Sequence, residues 1–228
     1  MTLAAFCAEK LGEAPIELEV LLQRAMRAAK QSSHHMEALH AAKLAEDLEL
    51  YETAIIGYDL AQQDARIADD AFEGLIRIAE QSGDTLQIRE VTKRFVRRFP
   101  RRNDLFERYL YLNMLSGMEI EATLDEALKL VAEEPSRATP RIIAALGFFR
   151  LKNFESAKLT CAPCKIETLD PAQRLVYAAV AARTGQEGLA KKIVENVDAS
   201  SLLEEEKQLK NFSQNRPLPT TALSTPDN

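Results

Sequence analysis

One short turn occurs twice, a hundred residues apart, as Leu48-Glu49-Leu50-Tyr51-Glu52-Thr53-Ala54 and Leu151-Lys152-Asn153-Phe154-Glu155-Ser156-Ala157. Each copy carries a Leu, a helix-ending residue, an aromatic two further on and an Ala three after that, where a second helix opens. Weaker copies run through Ser82-Gly83-Asp84 to Ile88, Ser116-Gly117 to Ala122, and Thr184-Gly185-Gln186 to Ala190. The five end residues, Ala54, Ile88, Ala122, Ala157 and Ala190, follow one another at steps of 34, 34, 35 and 33. So regular a spacing predicts an array of helix-turn-helix units, each burying its apolar face against its neighbours. Composition agrees: 46% of the residues are hydrophobic while Gly and Pro number only 8 and 9, which suits close-packed helices.

Five repeats follow from this period, near 35–68, 69–102, 103–137, 138–170 and 171–203. Pro100 and Pro135 close second helices, because proline has no N–H and disfavours a helical residue before it. Thr139-Pro140 and Asp170-Pro171 each set a capping side chain before a first-turn proline, opening the fourth and fifth repeats. The small residue at Ala54, Ala122, Ala157 and Ala190 marks where two antiparallel helices cross too closely for anything larger. Ahead of the repeats, 1–34 reads as a helical pair over 3–11 and about 15–31. Behind them, Ser201-Leu202-Leu203-Glu204 has the form of a capping box opening a polar end-capping helix over 201–212. Residues 213–228, with Pro217, Pro219 and Pro226, hold too few apolar side chains to fold and are expected to be disordered.

With these residues in place the chain resembles the tetratricopeptide repeat family over about 35–200. That family's 34-residue unit carries Leu and Gly at its turn, an aromatic two residues on, Ala three beyond it and a late Pro. Leu48, Gly83, Gly117, Leu151 and Gly185 match the turn, Tyr51 and Phe154 the aromatic, and Pro100 the end. The chain departs from the pattern in having no Trp and in carrying Glu49 and Lys152 where Gly is usual. The resemblance implies an all-α fold, a right-handed α-solenoid of antiparallel helix hairpins, whose first helices line a concave groove that receives a peptide or partner protein. At groove positions it places His40, Lys43, Asp70, Glu73, Arg77, Asp104, Glu107, Arg108, Tyr111, Met114, Phe149, Arg150 and Arg183, of which Lys43, Arg77, Arg108, Tyr111, Met114, Phe149 and Arg150 are the expected partner contacts. No repeat has the family's Lys and Asn pair that clamps a terminal carboxylate, so no such clamp is expected. Mixed charge in the first three repeats and apolar contact around Tyr111, Met114 and Phe149 would hold the partner, with Arg108 and Tyr111 as the energetic anchors.

Other motifs carry less. Cys161-Ala162-Pro163-Cys164 has redox or half-zinc spacing, yet it lacks a βαβ setting and two further ligands, so buried structural thiols are expected. Pro163 should shorten the helix that carries them. Glu37-x-x-His40 has the spacing of a di-iron ligand pair, but a second such pair is missing from a chain with 3 His. In 93–102 six cations surround Phe95 and Phe99; rings four apart should pack inward and leave the cations on a solvated face. No phosphate-loop, nucleophile-elbow or zinc-protease motif occurs, so neither catalysis nor a cofactor or metal is expected. A net charge of −6 disfavours nucleic acid and anionic lipid as partners. Charge at Glu9 and Lys10, and the lack of an apolar run of about 20 residues, argue against a signal peptide or membrane span and for a cytoplasmic protein. The expected function is therefore a non-enzymatic scaffold binding a protein or peptide. The alternatives are an RNA-binding repeat protein, since pentatricopeptide repeats share this design, and a regulatory segment of a larger enzyme.

Overall fold

The computed structural model describes residues 15–200 and 202–214. The helix expected over 3–11 and the tail from 215 onward lie outside the described residues. Among those described there are twelve α-helices, one short 3₁₀ turn at Ile166–Thr168 and no strand, so the fold is all-α. None of these helices is long and apolar enough to cross a membrane.

The chain forms two compact units, 1–82 and 83–228. The first holds α1 (Pro15–Ser32), α2 (His35–Asp47), α3 (Tyr51–Ala61) and α4 (Ala68–Ser82). The second holds α5 (Thr85–Arg98), α6 (Asn103–Ser116), α7 (Ile120–Glu133), α8 (Ala138–Arg150), α9 (Phe154–Cys161), α10 (Pro171–Arg183), α11 (Glu187–Glu195) and α12 (Glu204–Ser213). The division falls inside the second expected repeat, whose two helices, α4 and α5, belong to different units. Neighbours in sequence pack in pairs: α2 with α3 in the first unit, α8 with α9 and α10 with α11 in the second.

A left-handed residue ends the first helix of every pair. Gly83, Gly117 and Gly185 have φ of 67°, 73° and 81°, and Glu49 and Lys152 take the same conformation at 59° and 60° without glycine's freedom. The residue after it then bonds back five positions, as Leu50 N to Ala45 O at 2.8 Å and Asn153 N to Phe148 O at 2.8 Å, satisfying carbonyls that the helix end leaves open.

Five residues past these left-handed residues comes a buried position in the second helix. Ala54, Ala157 and Ala190 are each 0% exposed there and Ile88 is 1% exposed. The third repeat departs from the expected register: Ala122 is exposed and Thr123 is buried in its place. An extra residue in that turn explains it, because Glu119 also goes left-handed, at φ 51°, and α7 starts one residue late. Thr123 is tolerated in the core because its hydroxyl accepts from Asn113 Nδ2 at 3.2 Å, while Asn113 Oδ1 accepts from the buried Arg89 Nε at 2.5 Å.

Two further caps differ from expectation. α8 begins before Thr139, whose hydroxyl instead accepts from Gln173 Nε2 of α10 at 3.0 Å. α12 begins at Glu204 behind Leu203; the reciprocal bond comes from Glu206, whose Oε2 accepts from Leu203 N at 2.9 Å. Asp170 does cap α10, accepting from Gln173 N at 2.8 Å. α9 stops at Cys161, two residues short of Pro163.

The corrected register makes a paired prediction. Ala157→Leu should destabilise by about 1–3 kcal/mol through overpacking, whereas Ala122→Leu, on the surface, should stay within about 0.5 kcal/mol of the parent. Urea midpoints of the two variants, compared with the parent, check it.

Candidate functional site

In the first unit the expected groove residues are tied down by acids. Lys43 Nζ lies 3.2 Å from Asp70 Oδ2 on the surface. Arg77 forks onto Glu46, Nε to Oε1 at 2.9 Å and Nη2 to Oε2 at 3.0 Å. Glu46 also accepts from the hydroxyl of Tyr58, whose ring is fully buried. That ring fits because Gly74 has no side chain: a Cβ there would come within 2.3 Å of Tyr58 Cζ. Burial pushes the Glu46 carboxyl up, but the bonds from Arg77 and Tyr58 outweigh it and hold the group below its ordinary range. This set therefore serves first as a charge-assisted brace between α2, α3 and α4.

The second unit contains a cavity of about 370 Å³ at the N-terminal ends of α6, α8 and α10. From α6 come Asp104, Glu107, Arg108 and Tyr111. The floor is apolar, with Ile142 and Ile143 of α8, and Arg137 and Thr139 border it. Asp170 and Gln173, at the start of α10, form the far wall. Glu107 is only 4% exposed, and Arg137 Nη2 donates to its Oε2 at 2.8 Å. Its Oε1 lies 2.7 Å from the same nitrogen, so Arg137 pairs with both carboxylate oxygens. Burial raises the Glu107 carboxyl, Arg137 pulls it back, and the nearby charges of Glu134 and Asp104 add to the rise. Asp104 is held low by the guanidinium of Arg102, 2.9 Å away.

Tyr111 faces α12, the last helix among the described residues. Its hydroxyl donates to Glu206 Oε1 at 2.9 Å, and Glu206 is 5% exposed. α12 also sets Phe212 edge-on against Phe149 of α8, centroids 5.6 Å apart, and accepts from Thr85 of α5 through Glu205 at 2.5 Å. It thus lies along α6, α8 and α10 rather than merely closing the last pair. Of the expected groove residues, Tyr111, Phe149 and Arg150 belong to this contact, Arg150 through the charge of Glu205. Arg150 also donates to Leu115 O. Met114 is 0% exposed and packs against Gly147, so it is core. Only Arg108 and Tyr111 of the seven line the cavity. Sequence reasoning missed Arg137, Asp170 and Gln173 as cavity residues and Glu206 as the partner of Tyr111; the Asp170-x-x-Gln173 cap was their only local signal.

The remaining motifs fall as follows. Cys161 and Cys164 are buried free thiols, and burial with the neighbouring thiol pushes Cys161 up to about 12. Such thiols are protonated and unreactive at neutral pH. Glu37 and His40 are exposed on α2, and no group of three metal-ligating side chains occurs among the described residues. Phe95 is 0% exposed and meets Phe99 edge-on at 5.2 Å, while Arg94, Arg97, Arg98 and Arg101 are exposed around them. Against family models, curated proteins and solved structures, the chain has no match.

Burial, with the charges of Asp170 and Glu205, raises the Glu206 carboxyl, although its bonds from Leu203 N and Tyr111 oppose the rise. A carboxyl raised on folding contributes stability that is full below its unfolded value and lost as pH climbs through its folded one. Parent stability should therefore decline relative to Glu206→Gln as pH rises from about 4 to about 7. Urea titrations of both proteins across that window measure the difference.

Proposed function

We propose that this chain is a non-enzymatic, cytoplasmic interaction module, a tetratricopeptide-like α-solenoid that binds a peptide or partner protein on the inner face of its first helices. The observation that carries this reading is that Arg108 and Tyr111, singled out by repeat position alone, share one cavity with Asp104 and Glu107 from the same set. Its volume of about 370 Å³ is within the range of binding clefts, and its apolar floor with a few converging polar groups is their usual chemistry. Tyr and Arg are the side chains that most often anchor an interface. Since α12 covers Phe149 and the hydroxyl of Tyr111, the partner enters beside Arg108, at the N-terminal ends of α6, α8 and α10.

For a partner captured and purified on the immobilised chain, Arg108→Ala should cost about 1–2 kcal/mol of affinity or more. Arg97→Ala, on the exposed basic face of α5, should be nearly neutral. The reverse ranking, together with single-stranded RNA binding that weakens steeply as salt rises, would instead favour the nucleic-acid reading.

A further inference from the structure

We propose, building on the interaction reading above, that α12 is a displaceable self-ligand, holding its seat on α6, α8 and α10 until a partner helix takes that seat with a carboxylate and, six residues on, an aromatic ring. In α12 these are Glu206 and Phe212, with Leu209 between them along one side of the helix. The seat answers each. The Tyr111 hydroxyl donates to Glu206 at 2.9 Å, Leu209 is buried in the core of the second unit, and Phe149 meets Phe212 edge-on with centroids 5.6 Å apart. Burial works against the charge of Arg150, and the neighbouring Glu205 carboxylate pulls it back. Donors at Tyr111 and Arg150 call for a carboxylate; the Phe149 ring, itself edge-on to Phe154, calls for another ring. A partner entering beside Arg108 meets Tyr111 one turn further along α6.

Two features make this contact exchangeable. The first is that α12 satisfies it incompletely: Arg150 Nε, and Gln208 Oε1 on α12 itself, are buried without a hydrogen-bond partner. A buried polar atom left unpaired is costly, so release returns Gln208 to water and a ligand that bonds Arg150 Nε outcompetes α12 there. Glu206 enters the contact at a cost too, against burial and the charges of Asp170 and Glu205. The second feature is the tether. α11 ends at Glu195 and α12 starts at Glu204, with Asp198, Ala199 and Ser200 exposed between them. A helix of 10 residues whose large apolar side chains are Leu209 and Phe212 is marginal by itself, so the seat is what keeps it folded.

The test titrates the isotope-labelled full chain with an unlabelled, capped peptide of the sequence 202–214 and reads amide resonances. The peptide should release α12, moving the amides of 204–213 saturably toward those of an unfolded segment. The same peptide with Glu206→Lys and Phe212→Ala should leave them in place. In the full-chain variant Phe212→Ala, whose own α12 competes less, the unaltered peptide should bind about tenfold more tightly. Should that variant fail to fold, hydrogen exchange of the parent decides: α12 amides should exchange at least about tenfold faster than those of α6 and α8, through local opening. Exchange of α12 at the rate of α6 and α8, or peptide binding that leaves the α12 resonances unmoved, overturns the proposal. So does passage of α12 between copies, seen as a dimer that grows with concentration, which would make the occupant a second copy of this chain. If the peptide fails while Arg108→Ala still weakens the captured partner, the self-ligand falls and the interaction reading stands; if Arg108→Ala is without effect as well, both fall.

Discussion

Two helices can cross at close range only where one of them offers little beyond Cβ, and the packing in each unit depends on that constraint. In the first unit a Cβ on Gly57 would lie 2.8 Å from Ala42 Cβ, and Gly74 gives its space to the Tyr58 ring. In the second, Ala157 and Ala190 sit fully buried one turn into α9 and α11, and Gly147 yields to Met114. Once crossings are fixed there, the turns have little latitude. A left-handed residue must end each first helix, and the chain accepts that conformation at Glu49 and Lys152 even without glycine.

From those crossings the cavity follows. Because α6, α8 and α10 run side by side in the second unit, their N-terminal ends gather Asp104, Arg137, Thr139 and Asp170 within one space. Polar bonds then tie the ends together, as with Gln173 to Thr139 at 3.0 Å across α10 and α8. α12 bounds the same face through Tyr111 and Phe149, so the cavity and the chain's own closure lie on neighbouring parts of one surface.

Helix positions were legible because they rest on local signals: Pro100, Pro135, Asp170-Pro171 and the periodic small residue each act within a few positions of themselves. The register of the third repeat was not, since Ala122 satisfied the expected pattern while one extra turn residue at Glu119 moved Thr123 into the core. Thr139 looked like a cap by its neighbour Pro140, but its hydroxyl answers Gln173, 34 positions later. Of the residues placed at groove positions, Arg108 and Tyr111 border the cavity and Met114 is core. The partner of Tyr111 could not be read, because Glu206 is 95 residues away and marked only as part of a polar helix. Lys43 and Arg77 also carried no sequence sign that Asp70 and Glu46 would engage them across helices.

Everything said of the cavity's boundary turns on α12 lying along α6 through the Tyr111 hydroxyl and the Glu206 carboxylate. A double-mutant cycle with Tyr111→Phe and Glu206→Gln, measured by urea unfolding at neutral pH, addresses that contact alone. A coupling of about 1–3 kcal/mol is predicted for a buried hydrogen bond to a charged acceptor. Strictly additive effects, with coupling near zero, would place α12 elsewhere and contradict the account.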